Sequence, residues 1–115
     1  MSRRSDRQLL LDMAEAIERA LRYTEGMSLD EFTKNDLVHD AVIRNIQIIG
    51  EAANRTSEAF RERTSGLEWP RIIGMRNRLV HGYFDIEESI VWRVVTDYLP
   101  KLAQELNELL ESGVE

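Results

Sequence analysis

There is no cysteine in this chain, which excludes disulfides and thiolate metal sites and fits a cytoplasmic setting. Proline occurs twice and glycine six times, too seldom for a disordered or linker-rich protein. No apolar run approaches the roughly 18 residues of a membrane span, so no membrane association is expected. The opening Met1-Ser2-Arg3-Arg4-Ser5-Asp6 lacks the apolar core of a signal peptide. Repeats, low-complexity tracts and strand-like alternation are all missing. Excess positive charge is missing too: the net charge is −6, unusual for a protein that grips nucleic acid broadly.

What remains is helical. A chain of 115 residues that is 43% hydrophobic and 31% charged supports one domain, residues 1–115, with a modest core. Helix one is expected over 5–25, with Ser5 as cap, Gly26 as terminator and an apolar stripe through Leu10, Met13, Ile17 and Leu21. Arg3, Arg4 and Arg7 fall on its solvated, fraying start. Ser28-Leu29-Asp30-Glu31 reads as a capping box opening a short turn. Helix two is expected from about 35 to 63, and a shorter helix three over 69–80 after Trp69-Pro70. Gly74 reads as a small residue at a helix crossing. Helix four starts in the acidic Asp85-Ile86-Glu87-Glu88 and runs to about Leu110, with Pro100 kinking it near Thr96–Asp97. The fold class is therefore all-α: an up-down bundle of four main helices plus a short helical turn. Trp69 and Trp92 read as core or interface anchors, and His39, without a second ligand at fixed spacing, as a surface residue.

Two polar residues on helix two stand out. Asn45 falls inside the apolar stripe and must either bond a neighbouring helix or support a site. Glu51 has Arg55 at ion-pair spacing, so it either pairs there or supports a site.

Chemistry gathers in Gly74-Met75-Arg76-Asn77-Arg78-Leu79-Val80-His81-Gly82-Tyr83-Phe84. Arg76 and Arg78 are permanently charged forks suited to phosphate oxygens. His81 can move a proton near neutral pH. Tyr83 offers a phenolic hydroxyl beside a glycine. The nearest carboxylate is Asp85, so the stretch suits a metal-free phosphate site better than a magnesium site; neither metal nor cofactor is expected. Residues 1–80 carry 13 basic and 13 acidic side chains, while residues 81–115 carry 2 and 8. The acidity is thus concentrated after the motif, and Arg71, Arg76 and Arg78 form a small basic island before it. Arg76 and His81 are about 140° apart around a continuous helix, so a helix end near Val80 is needed to bring them together. Asn77, four residues before His81, can then hold the imidazole.

The Arg76-four-residues-His81-Gly82-Tyr83 pattern resembles the motif of HEPN-domain ribonuclease toxins, closest to the HepT-like branch. Trp69-Pro70-Arg71-Ile72-Ile73-Gly74-Met75 ahead of it and Ile43-Arg44-Asn45-Ile46-Gln47-Ile48-Ile49-Gly50-Glu51-Ala52 upstream resemble two further blocks of that branch. The resemblance spans nearly the whole chain. It implies a HEPN-like fold and a metal-independent endoribonuclease, the toxin of a type VII-like toxin–antitoxin pair. Arg76 and His81 would be catalytic, and Asn77, Arg78, Asn45 and Glu51 would support them. The substrate would be transfer or messenger RNA. One motif does not supply both the acid and the base of RNA cleavage, and the resemblance implies a composite site across a homodimer. Tyr83 would accept AMP from a minimal nucleotidyltransferase antitoxin. The alternative reading is a non-catalytic helical subunit that presents substrate to a nucleotidyltransferase.

Overall fold

The computed structural model describes the backbone of residues 3–80 and 87–114, and the side chains of 3–75 and 87–114. Helix α1 (Asp6–Tyr23) opens on a capping box: Ser5 Oγ accepts from Gln8 N, and Gln8 Oε1 accepts from Ser5 N. Its buried stripe is Leu9, Leu10, Met13, Ala16, Ile17 and Ala20. Past its end Gly26 takes φ +76°, the left-handed conformation that glycine adopts without strain. The arginines of the first turn are engaged. Arg4 forks onto both oxygens of Asp12 at 2.6 and 2.7 Å, and Arg7 donates to the carbonyls of Leu110 and Val114 at the far end of the chain.

Helix α2 (Leu29–Lys34) has the expected capping box between Ser28 and Glu31 and buries Phe32. Helix α3 (Asp36–Arg55) is capped by Asn35 and buries Val42, Asn45, Ile46, Ile49 and Ala53. The single helix expected over 35–63 is in fact two. The chain turns extended at Thr56 and Ser57, and α4 (Glu58–Arg63) starts afresh with Ser57 as cap. Asp6 explains the break. Its carboxylate accepts from both the backbone N and the Oγ of Ser57 at 2.8 Å, which ties the junction to the start of α1.

Helix α5 (Trp69–Val80) starts at Trp69 as expected, and its expected end before Gly82 lies outside the described residues. Trp69 is buried, with Nε1 donating to the carbonyl and Oγ1 of Thr64 and its ring 6.0 Å from that of Phe60. The last stretch begins as α6 (Glu88–Arg93), passes through a π-helical turn (Val94–Tyr98) and continues as α7 (Leu99–Glu111). Pro100 accounts for the π turn. It has no N–H for the Thr96 carbonyl and its ring crowds that carbonyl, so Leu99 N reaches back to Val94 O. Asp85, the expected cap of this run, lies outside the described residues. Glu87 occupies the capping position and makes no side-chain capping bond.

Among the described residues the fold is an all-α bundle. Helix α1 packs on α3 and α7, α3 packs on α5, and α2 bridges α3 and α6. Fully buried Leu10, Met13, Ile17, Ile46, Ile49, Ile72, Leu99, Leu102 and Leu106 form the centre. At about 25 cal/mol per Å² of apolar surface removed from water, such a core supplies the main driving force for folding. No described helix is long and apolar enough to cross a membrane.

Candidate functional site

Helix α5 positions the reactive stretch. Trp69, Ile72 and Met75 are buried and hold α5 against the bundle, with Ile73 partly buried beside them. This anchor fixes the axis of the helix up to Val80. Arg76, Asn77 and Arg78 stand in its last turns, where only the backbone is described. His81, Gly82 and Tyr83 lie outside the described residues.

On the anchored half of α5, Arg71 lies over the Tyr98 ring with its guanidinium carbon 4.0 Å from the ring centroid. This is a close cation–π contact between the motif helix and the π turn. Arg71 also faces Glu68 at 3.6 Å, and Lys101 reaches the same carboxylate at 3.8 Å. Burial pushes the Tyr98 phenol up to about 12, although the Arg71 charge pulls the other way. A recess of about 530 Å³ opens here between α5 and the α6–π run. Gly74 faces it. A Cβ built on Gly74 would meet nothing within 4 Å, so among the described residues no backbone comes close at this glycine, contrary to the expected helix crossing.

Asn45 is 5% exposed. Its Oδ1 accepts from Arg19 Nε at 2.9 Å, and its Nδ2 donates to the Ala41 carbonyl at 2.8 Å. It therefore bonds a neighbouring helix, clamping α3 to α1. Glu51 is exposed. Among the described residues no ion pair joins it to Arg55, contrary to the pairing their spacing suggests. Both side chains instead line a polar cleft of about 240 Å³ with Arg4, Asp12, Glu15 and Arg19, where water screens each charge and little is gained by contact.

The reading of His39 as a surface residue is also overturned. Its side chain is only 15% exposed and lies against Phe32, with ring centroids 5.5 Å apart. Phe32 is itself 5.1 Å from the Trp92 ring. His39 Nε2 is 2.8 Å from Glu88 Oε2, both atoms are shut off from solvent, and the approach is not along a hydrogen-bonding direction. The two enclosed atoms are therefore in contact without a hydrogen bond between them. The contact joins α3 to the first residue of α6. Nothing local in the sequence signals it, because the cover over His39 comes from α2 and α6.

The family model described as Ribonuclease HepT-like matches residues 13–109, a span that runs from within α1 to the last turns of α7 and contains the whole Arg76–Tyr83 stretch. The chain belongs to the HepT-like ribonuclease family. It is 34% identical over 106 residues to the protein named "Putative RNase MJ1380" of Methanocaldococcus jannaschii, covering 92% of this chain and 97% of that one. It is 31% identical over 107 residues to "Probable ribonuclease HepT" of Thermococcus cleftensis, covering 93% and 97%. No solved structure matches the chain significantly.

Proposed function

We propose that this protein, acting in the cytoplasm, is a metal-independent endoribonuclease of a type VII-like toxin–antitoxin system, with Arg76 and His81 as its catalytic residues. The observation that carries the reading is the family match over residues 13–109, which takes in the motif and the helix that presents it. His81 takes the proton of a ribose 2′-hydroxyl, the freed oxygen attacks the adjacent phosphorus, and the 5′-oxygen leaves with a proton from a second imidazole. Arg76 and Arg78 stabilise the charge that builds on the phosphate oxygens. The products are a 2′,3′-cyclic phosphate and a 5′-hydroxyl. Each step balances without water or metal. The second imidazole comes from another copy of the chain, which makes the site composite and the working form a homodimer or larger.

Asn77 orients His81. Asn45 and Glu51 support the site from α3, the helix on which α5 packs. Tyr83 is the point of control. Its oxygen attacks the α-phosphate of ATP on a nucleotidyltransferase antitoxin, pyrophosphate leaves, and the attached AMP occupies the arginines and blocks RNA. The substrate is transfer or messenger RNA, held weakly in keeping with a net charge of −6. Incubation of purified protein with end-labelled RNA in EDTA tests this reading, with both product ends identified. Cyclic-phosphate and 5′-hydroxyl ends support it. Intact RNA, or cleavage that needs added divalent metal, contradicts it.

A further inference from the structure

The recess beside α5 has features that neither helix packing nor the proposed chemistry requires. Its walls are Arg71, Gly74 and Met75 from α5 and Ile90, Val94 and Tyr98 from the facing run. Ile90 is 47% exposed, an apolar side chain left open to water at the recess rather than folded into the core. Gly74 keeps a strip of helix surface bare where a Cβ would meet nothing within 4 Å, so its missing side chain serves space rather than contact. The volume of about 530 Å³ falls within the range of small-ligand sites. Val94 and Tyr98 are the first and last residues of the π turn that Pro100 imposes, which sets both side chains along one wall of the recess.

Arg71 gives the recess its chemistry. One face of its guanidinium is taken by Tyr98, yet the side chain remains 54% exposed and lines the opening. A flat cation backed by an aromatic ring is a stacking platform for another flat π-system, and base stacking on such platforms does not depend on reading the sequence. The position suits the same ligand. Gly74 and Val80 are six residues apart on α5, roughly 9 Å along the axis. A group seated in the recess therefore sits within a nucleotide or two of a phosphate held by Arg76 and Arg78. Arg71 and Lys101 are offset here by Glu68 and Glu105, so the charge that favours a polyanion comes from Arg76 and Arg78 farther along the helix.

We infer that the recess between α5 and the π turn is a subsite for one unpaired nucleobase of the RNA strand, which stacks on the Arg71–Tyr98 pair while its ribose-phosphate runs toward the end of α5. Purines, with more stacking area, bind there better than pyrimidines. The inference rests on the ribonuclease reading for its substrate, but the subsite can be tested separately.

The test uses the full chain as wild type, Gly74→Leu, Arg71→Gln and His81→Ala, with single-stranded oligoribonucleotides carrying one 2-aminopurine. Leu at position 74 fills the recess from a wall that has room for it and improves helix propensity, so folding is retained; Arg71→Gln removes the platform by a different route. Wild type and His81→Ala should both quench the 2-aminopurine, and Gly74→Leu and Arg71→Gln should not. In cleavage assays Gly74→Leu should raise KM about tenfold, equivalent to about 1.4 kcal/mol, with kcat much less affected. If wild type quenches but does not cut RNA, the ribonuclease reading fails and the subsite stands. If wild type cuts, and both recess variants keep wild-type quenching and KM, the subsite is refuted alone. A drop to a slower-sedimenting species in both variants, with quenching intact, would make the recess a contact between copies of the chain and overturn the inference.

Discussion

His39 of α3 faces Glu88 of α6 with Nε2 and Oε2 2.8 Å apart, and neither atom is open to water. Neither atom has a hydrogen-bond partner among the described residues, so this contact is what each has in place of one. Glu88→Leu should therefore destabilise the fold by about 1–2 kcal/mol by stranding His39. The double variant His39→Leu/Glu88→Leu should recover part of that loss, because two apolar groups can share the space. Urea unfolding of the two single variants and the double variant, treated as a cycle, gives the coupling. Additive losses would mean that the two groups are independent.

Asn45 binds Arg19 and the Ala41 carbonyl from a buried position. Replacing it with Ala leaves a guanidinium without its acceptor and opens a small void. The expected cost is about 1–3 kcal/mol, seen as a lower midpoint of chemical unfolding. If Asn45 supports the site only by holding α3 and α1 together, kcat at a temperature where the variant is fully folded should stay close to wild type. A large fall in kcat in fully folded protein would assign Asn45 a part in the chemistry itself.

Tyr98 gives a pH dependence with a definite sign. Burial raises its phenol from 10.0 to about 12, so between those values the folded chain keeps a proton that the unfolded chain has lost. Stability from this group is unchanged below pH 10 and falls as pH rises from 10 toward 12. Tyr98→Phe should remove that component. The thermal unfolding midpoint of wild type should fall relative to that of Tyr98→Phe as pH rises through this range. A constant gap between them would show that Tyr98 titrates normally.

Tyr83→Phe keeps the ring and removes the acceptor oxygen. The variant should still cleave RNA but escape neutralisation by a nucleotidyltransferase antitoxin supplied with ATP, and mass spectrometry of treated wild type should show AMP on the Tyr83 peptide. Equal neutralisation of both proteins, with no added mass, would replace modification by simple binding.

What the sequence made legible was local. Ser28 and Glu31 are three residues apart and cap their own helix, so their pattern was enough. The start of α5 follows from Trp69-Pro70 in the same way. The break at Thr56–Ser57 was hidden because the group that fixes it, Asp6, is 51 residues away. The burial of His39 is hidden for a similar reason: its cover comes from Phe32 and Glu88 on two other elements. Gly74 suggests a crossing point because small residues often mark one, but among the described residues none packs against it. The spacing of Glu51 and Arg55 could not show that a solvated cleft would draw both apart. The motif itself was visible as a pattern of residue types, whereas the recess beside it requires three elements to come together.

The central claim is that Arg76 and His81 cut RNA. The most direct measurement is the cleavage rate of one defined RNA in EDTA by wild type, Arg76→Ala and His81→Ala, with circular dichroism confirming equal helicity. The account predicts cleavage by wild type and a loss of at least about a hundredfold in each variant, the scale of removing a general base or a transition-state donor. Wild-type rates in a folded His81→Ala protein would contradict it.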